Sequence, residues 1–132
     1  MSHETHNTQC PFCTISSDRA IRKNDYAMAI FDGFPISPGH TLIIPKRHVA
    51  SLFEVTAEER EALFDLLADM RRSLMMGRKP DGFNIGINEG AEAGQTVMHL
   101  HIHLIPRYAG DMPDPRGGIR WIFPDKAAYW DK

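Results

Sequence analysis

Cysteine is scarce in this 132-residue chain: there are two, too few for a disulfide-built scaffold. Long apolar runs are missing as well, since nothing approaches the about eighteen residues of a membrane span. The N-terminus, MSHETHNTQCPF, has no basic segment leading into an apolar stretch, so no targeting signal is read there. Positive charge is not in excess. Fifteen Lys and Arg against seventeen Asp and Glu leave a formal net charge of -2, with the basic residues scattered. Such a chain supplies no field for a nucleic-acid backbone. Internal repeats, linkers and low-complexity segments are also absent. What remains is one domain of ordinary composition, 42% hydrophobic and 24% charged, expected in the cytoplasm with neither nucleic acid nor membrane as partner. Its length is enough to bury roughly two-thirds of the surface the unfolded chain exposes.

Residues 1–9 are polar and without periodicity, so they read as a flexible tail in which His3 and His6 have no assigned role. YAMAIFD (26–32) and HTLIIPK (40–46) are short apolar runs around DGFPISPG, a strand, loop and strand that can pair antiparallel. The clearest helix is residues 56–77. Thr56 and Glu59 make a T-x-x-E capping box, and Leu63, Leu66, Leu67, Met70 and Leu74 recur at three- and four-residue spacings, a stripe assigned to core packing. FNIGIN (83–88) alternates, which predicts a strand with Phe83, Ile85 and Ile87 on one face and Asn84 and Asn88 on the other. EGAEAGQ (89–95) has no bulky residue, so its backbone can approach a ligand. TVMHLHIHLIPR (96–107) predicts the next strand, ended by Pro106, and the Gly- and Pro-rich remainder is expected to pack against the domain. Strands, one long helix, then strands imply an α+β fold with an antiparallel sheet.

The chemistry concentrates at residues 99–103, H-L-H-I-H. Strand alternation puts His99, His101 and His103 on one face and the intervening aliphatics in the core. The outer two then stand roughly 13 Å apart, too far for all three to bind one metal directly, so their labour must divide. A neutral imidazole is a competent nucleophile toward phosphorus. A second imidazole can donate to a phosphate oxygen, and the loop at Gly94, Gln95 and Thr96 can add backbone N–H groups and a hydroxyl. The C-P-F-C motif, Cys10 and Cys13, reads either as a redox pair or as half a metal site.

The segment His99 to Ile105 with NEGAEAGQTV ahead of it resembles the signature of the histidine triad (HIT) superfamily. The resemblance extends through CPFC, AIFDGFPISPGHTLIIPKRH and DPRGGIRWIFP, so it covers nearly the whole chain from residue 10, read as a single domain over 10–132. It implies a HIT-like fold: an antiparallel sheet of about five strands with one long helix and a short N-terminal helix, dimerising into a larger sheet through the helix 56–77 or the strand near 83–88. It also implies a hydrolase or nucleotidyl transferase acting on dinucleoside polyphosphates, with phosphoramidate cleavage or phosphorolysis at the same site as alternatives. In the family pattern the middle histidine, here His101, is the nucleophile that forms a nucleotidyl intermediate. His103 contacts the phosphate, Gln95 and Thr96 line the phosphate site, and Asn88 helps hold the geometry. Asp32 accepts the ribose hydroxyls, while Ile30 and Phe31 wall a purine base, adenine being favoured. Arg107 is a candidate contact to distal phosphates, ahead of Lys46, Arg116 and Arg120.

A subset of the family holds a structural zinc. The resemblance places its ligands at Cys10, Cys13, His48 and His99, a closed set with no open position, and implies no organic cofactor. A redox pair would belong between a strand and a long helix, which is not the setting of CPFC. Two other classes stay open at this point: a nucleotide-binding regulatory protein with little turnover, and a metalloenzyme built on an H-x-H pair.

Overall fold

A computed structural model describes residues 7–131. The predicted tail therefore falls mostly outside the described residues, His3 and His6 with it, and its last part forms a turn in which Cys10 N–H donates to the Asn7 carbonyl.

Among the described residues there are five strands: β1 (Ala20–Lys23), β2 (Ala27–Phe31), β3 (Thr41–Pro45), β4 (Gly82–Gly86) and β5 (Ile102–Arg107). They form one sheet in the order β1-β2-β3-β5-β4, every pairing antiparallel. The helix α1 spans Ala57–Gly77, and a one-turn helix α2 spans Pro124–Ala127. The expected N-terminal helix is a single 3-10 turn, Ser17–Arg19. β1 escaped sequence reading because AIRK offers no apolar alternation.

The start of α1 is set by its capping box. Thr56 Oγ1 accepts the Glu59 N–H at 3.0 Å, and Glu59 Oε1 accepts the Thr56 N–H at 2.8 Å. Leu63, Leu66, Leu67, Met70 and Leu74 then bury one stripe against Ala27, Ala29, Ile43, Leu100, Ile102 and Leu104 on one face of the sheet. The other face carries a smaller cluster, Ile30, Leu42 and Ile44, roofed by Phe12 and Ile15. The two faces have different tasks: one is core, the other holds the histidines.

The strand expected over 96–107 begins only at Ile102. Pairing with β3 stops at Ile43 opposite Ile102, because the next residues of β3 lead into Pro45, which has no N–H to donate. Pro45's carbonyl is taken by the His99 ring, and Leu100 N–H turns to the Val49 carbonyl. Pro106 does not end the strand but lies inside it, opposite Phe83. The β3 ladder has stopped at Leu104, so Pro106 is flanked by a strand on one side only, a setting in which a missing N–H is tolerated. Likewise β4 ends at Gly86, and Ile85 does not join Phe83 and Ile87 on the core but stands about half exposed.

Candidate functional site

Each histidine of the triad meets a different set of neighbours. His99 is completely buried, and its Nε2 lies 2.8 Å from the Pro45 carbonyl. A carbonyl only accepts, so Nε2 carries the ring proton and Nδ1 presents a lone pair. That lone pair faces Cys10 Sγ and Cys13 Sγ, each at 3.5 Å, and His48 Nδ1 at 3.2 Å. Cys13 Sγ lies 3.3 Å from His48 Nδ1, and the four donor atoms all fall within 4.8 Å of one another. Both cysteines are free thiols. An uncompensated knot of lone pairs is an expensive thing to bury, and these four residues could hold a metal ion.

The elements that bring them together are separate. A tight turn, Thr14 N–H to the Cys10 carbonyl, presents both thiols. His48 follows Arg47, whose guanidinium is bound to both carboxylate oxygens of Glu59 at 2.8 and 2.9 Å. The helix cap thus anchors the segment that carries a donor. Burial among its neighbours holds the His99 ring below the ordinary histidine pKa, the Pro45 carbonyl opposing.

His101 is 8% exposed, and its Nδ1 donates to the main-chain carbonyl of His99 at 2.9 Å. In the neutral ring this bond leaves the lone pair on Nε2. The Phe12 ring stands edge-on to it at 5.1 Å, and the His103 ring at 5.2 Å on the other side. A fixed, water-shielded imidazole with one unprotonated nitrogen is what a nucleophile toward phosphorus requires.

His103 contacts a residue that sequence reasoning passed over. Its Nδ1 is 2.9 Å from Nε2 of His40, which is buried, and the same Nε2 lies 3.4 Å from Asp32 Oδ2. Burial first, then the neighbouring His101 and His40, push His103 down to about 4, with Asp32 opposing. The only signal of His40 was its place two residues ahead of Leu42. Its relation to the triad depends on Leu42 lying opposite His103 across β3 and β5, a register the sequence does not state.

A cavity of about 750 Å³ opens beside His103, lined also by Asp32, His40, Asn88 and Arg107. The size suits a small organic ligand. Asp32 is held by its own turn, Oδ1 accepting the Phe34 N–H at 2.9 Å, which leaves Oδ2 toward His40 and the cavity. Ile30 lies on the histidine face, buried in its apolar cluster. Phe31 does not join it. Successive strand residues alternate, and Phe31 pairs with Thr41, itself opposite Leu104 of the helix-side core, so its ring lies on the other face, 45% exposed.

Gln95 is buried with its amide fully engaged: Oε1 accepts the Gly90 N–H, and Nε2 donates to the Ala50 and Val97 carbonyls. It shapes the loop rather than offering a free donor, while Thr96 is exposed beside it. Arg107 grips Asp111 through two bonds and donates to Asn84 Oδ1 at 2.7 Å, which commits its guanidinium before any phosphate arrives. Arg116 stacks over Trp130, and Arg120 binds the Ala127 and Lys126 carbonyls, so both brace the C-terminal segment. Lys46 is exposed. Among the described residues, no group of three or more metal-capable side chains within 4.8 Å of one another contains two triad histidines. Among the described residues, no helix is long and apolar enough to cross a membrane.

The HIT domain model matches residues 15–110, most of the chain. The chain belongs to the HIT family. A HIT-like protein of Mycoplasma pneumoniae, itself uncharacterized, is 38% identical over 106 residues, 77% of this chain and 74% of its own length. Yeast bis(5'-adenosyl)-triphosphatase is 36% identical over 116 residues, covering 87% of this chain, which spans about half (53%) of that enzyme. Among solved structures, a zinc-bound histidine triad family protein from Mycobacterium smegmatis superposes with a TM-score of 0.64 at 33% identity, over 85% of each chain. The five-stranded antiparallel sheet with one long helix is the architecture of this HIT protein and its relatives.

Proposed function

We propose that this HIT protein, acting as one domain over residues 10–132, is a nucleotide hydrolase or nucleotidyl transferase that cleaves dinucleoside polyphosphates at the α-phosphate. The observation that carries the reading is the His101 ring, buried, with Nδ1 spent on the His99 carbonyl and Nε2 free beside His103. Similarity to an enzyme named as a bis(5'-adenosyl)-triphosphatase supports the substrate class.

His101 Nε2 attacks the α-phosphorus. A P–N bond forms, the bridging P–O bond breaks, and the remaining nucleoside polyphosphate leaves with the electron pair of that oxygen. Water then attacks the same phosphorus and releases the nucleoside monophosphate, His101 recovering its lone pair as the P–N bond breaks. Two displacements at phosphorus replace one, and imidazole is a good leaving group in the second. In this reading His103 donates to a phosphoryl oxygen and Asp32 accepts the ribose hydroxyls; Asp32, His103 and Asn88 border the same cavity. Ile30, in the apolar cluster it forms with Phe12 and Ile15 on the histidine side of the sheet, is the residue we assign behind a purine base, adenine favoured.

Zinc is the ion we assign to Cys10, Cys13, His48 and His99. Tetrahedral bonds of about 2.3 Å to sulfur and about 2.0 Å to nitrogen set sulfur–nitrogen edges of about 3.5 Å and nitrogen–nitrogen edges of about 3.3 Å. The corresponding separations here are 3.5, 3.5 and 3.3 Å, and 3.2 Å. With four protein donors the ion would be structural. It would pin the N-terminal turn to His99, and the Phe12 ring sits between the two, 5.7 Å from His99 and 5.1 Å from His101. A homodimer through the open edge of β4, where Ile85 is exposed, fits the same reading and is checked by sedimentation equilibrium.

The deciding experiment follows AMP and ATP release from diadenosine tetraphosphate, and AMP release from adenosine phosphoramidate, with the wild type and His101→Asn. Turnover that disappears in the variant supports nucleotidyl transfer through His101, and the ratio of the two rates separates anhydride from phosphoramidate cleavage. Binding of AMP without turnover of either substrate would replace the enzyme with a nucleotide-binding protein.

A further inference from the structure

His40 is not part of the triad, yet it is the residue in hydrogen-bonding contact with the His103 ring. Its protonation pattern can be read from its neighbours. The Ile36 backbone N–H points at His40 Nδ1 at 3.2 Å, and a backbone N–H only donates, so Nδ1 is the acceptor. Burial depresses the His40 pKa, Asp32 opposing, so the neutral ring is the resident form and its single proton sits on Nε2. That proton lies on the line to His103 Nδ1 at 2.9 Å, with Asp32 Oδ2 as a more distant acceptor at 3.4 Å. His103 Nδ1 is therefore an acceptor as well. A neutral imidazole has one N–H, which leaves His103 with its proton on Nε2, the nitrogen directed away from His40.

We propose that His40 is a positioning residue that holds His103 as its Nε2–H tautomer, so that His103 donates to the phosphoryl oxygens during reaction at His101. The proposal rests on the hydrolase reading above and deepens it. The chain of donors runs from the Ile36 amide through His40 and His103 into the site, and each ring passes on the orientation it receives. It explains why a histidine is buried there: an aliphatic residue would fill the space but leave either nitrogen of His103 free to carry the proton. Burial is the main reason for the low proton affinity of His103, with His101 and then His40 adding to it. The geometry acts in the same direction, since a proton added at Nδ1 would face the Nε2–H of His40. A fixed donor aimed at developing charge needs no reorganisation during the reaction.

Asp32, His40 and His103 also cluster closely enough to be considered as metal donors. The 2.9 Å separation of the two ring nitrogens is an N–H···N hydrogen bond, shorter than the about 3.3 Å edge expected between two imidazoles on a tetrahedral ion.

The test uses the zinc-loaded protein with ring-¹⁵N-labelled histidine, for the wild type, His40→Gln and His40→Phe. The Gln side chain places an amide N–H near the position of His Nε2, whereas Phe keeps the volume and removes the donor. Long-range ¹H–¹⁵N spectra without substrate are expected to show His103 as the Nε2–H tautomer in the wild type and His40→Gln, and as a mixture or the Nδ1–H form in His40→Phe. With substrate, His40→Phe is expected to lower kcat by about tenfold to a hundredfold, toward the cost of losing one donor at a transition state, with KM little changed and most of kcat restored in His40→Gln. An Nε2–H form that persists in His40→Phe would overturn the proposal. So would a second metal equivalent per chain that is lost with His40. If the wild type turns over no nucleotide at all, the hydrolase reading fails separately, and the spectra still decide the ring assignment.

Discussion

The ring of His101 is tied to the backbone of the first triad histidine: its Nδ1 donates to the His99 carbonyl at 2.9 Å. One hydrogen bond therefore links the residue assigned to metal with the residue assigned to attack. The carbonyl selects the tautomer of the neutral ring. His101→Asn is expected to lower turnover of diadenosine tetraphosphate by about 10⁴-fold or more, the usual order for loss of a nucleophile. Retained AMP affinity by calorimetry would show that the loss is chemical. A variant with more than about a tenth of wild-type kcat would remove His101 from the covalent step.

The zinc proposed for the four-donor cluster would act on a different quantity. Cys10→Ser removes one of two thiolates from a site whose imidazole, His99, is already oriented by Pro45. Zinc content is expected to fall below one per chain and the melting temperature to drop by about 10 °C, as loss of about 3 kcal/mol would produce in a domain of this size. Turnover per folded molecule is expected to change several-fold at most, through looser seating of Phe12 on His101. A large loss of turnover at an unchanged melting temperature would sink the structural role.

Much of this was legible in the sequence where a rule is local. The capping box of α1, its apolar stripe and the β2 and β3 runs each state their structure within a few residues. The metal set and the triad were legible as residue types in a family pattern. What sequence could not supply was cross-strand register. Phe31 falls on the helix side of the sheet because it pairs with Thr41, and His40 falls on the histidine side because Leu42 pairs with His103. Commitments between side chains were equally hidden. Arg107 looked free beside the site, yet Asp111 and Asn84 already hold it. The late start of β5 follows from Pro45, whose carbonyl serves a side chain instead of a ladder.

Acid should weaken the fold through the buried imidazoles. His103 has its folded pKa pushed down to about 4 and His40 is shifted in the same direction, while unfolded histidines titrate near about 6.5. Between those values the unfolded chain binds more protons, so the contribution is fully present above about pH 6.5 and is lost as pH falls toward about 4. Denaturation midpoints from pH 7 to 4.5 are expected to decline for the wild type. His103→Asn is expected to flatten that decline, and an unchanged slope would show that folding does not lower the His103 pKa.

The Arg47–Glu59 pair couples the start of α1 to His48. Glu59 is 4% exposed and takes two bonds from Arg47 while also closing the capping box. Thr56→Ala should cost about 1 kcal/mol, the usual value of a cap. Glu59→Gln should cost more, about 3 kcal/mol, because Arg47 is left without its partner in a partly buried position. Zinc affinity measured by competition with a chromophoric chelator is expected to fall for Glu59→Gln and to hold for Thr56→Ala. Equal zinc affinity in all three proteins would mean that His48 is positioned without Arg47.

Gly39, one residue before His40, offers the last prediction. Its φ is +89°, a conformation that L side chains rarely adopt, and an added Cβ would meet Arg78 Cδ at 2.9 Å and Leu74 Cδ2 at 3.0 Å. Arg78 could swing away, but Leu74 belongs to the buried stripe of α1 and has little room. Gly39→Ala is therefore expected to destabilise by about 1–3 kcal/mol, from left-handed backbone strain plus overpacking. Relief of that strain would move the chain at residue 40, and with it the Nε2 contact to His103. The expected kinetic signature is that of His40→Phe in milder form: kcat reduced, KM nearly constant, at a temperature where the variant remains folded. Loss of stability with kcat unchanged would separate the glycine's backbone role from the placement of His40.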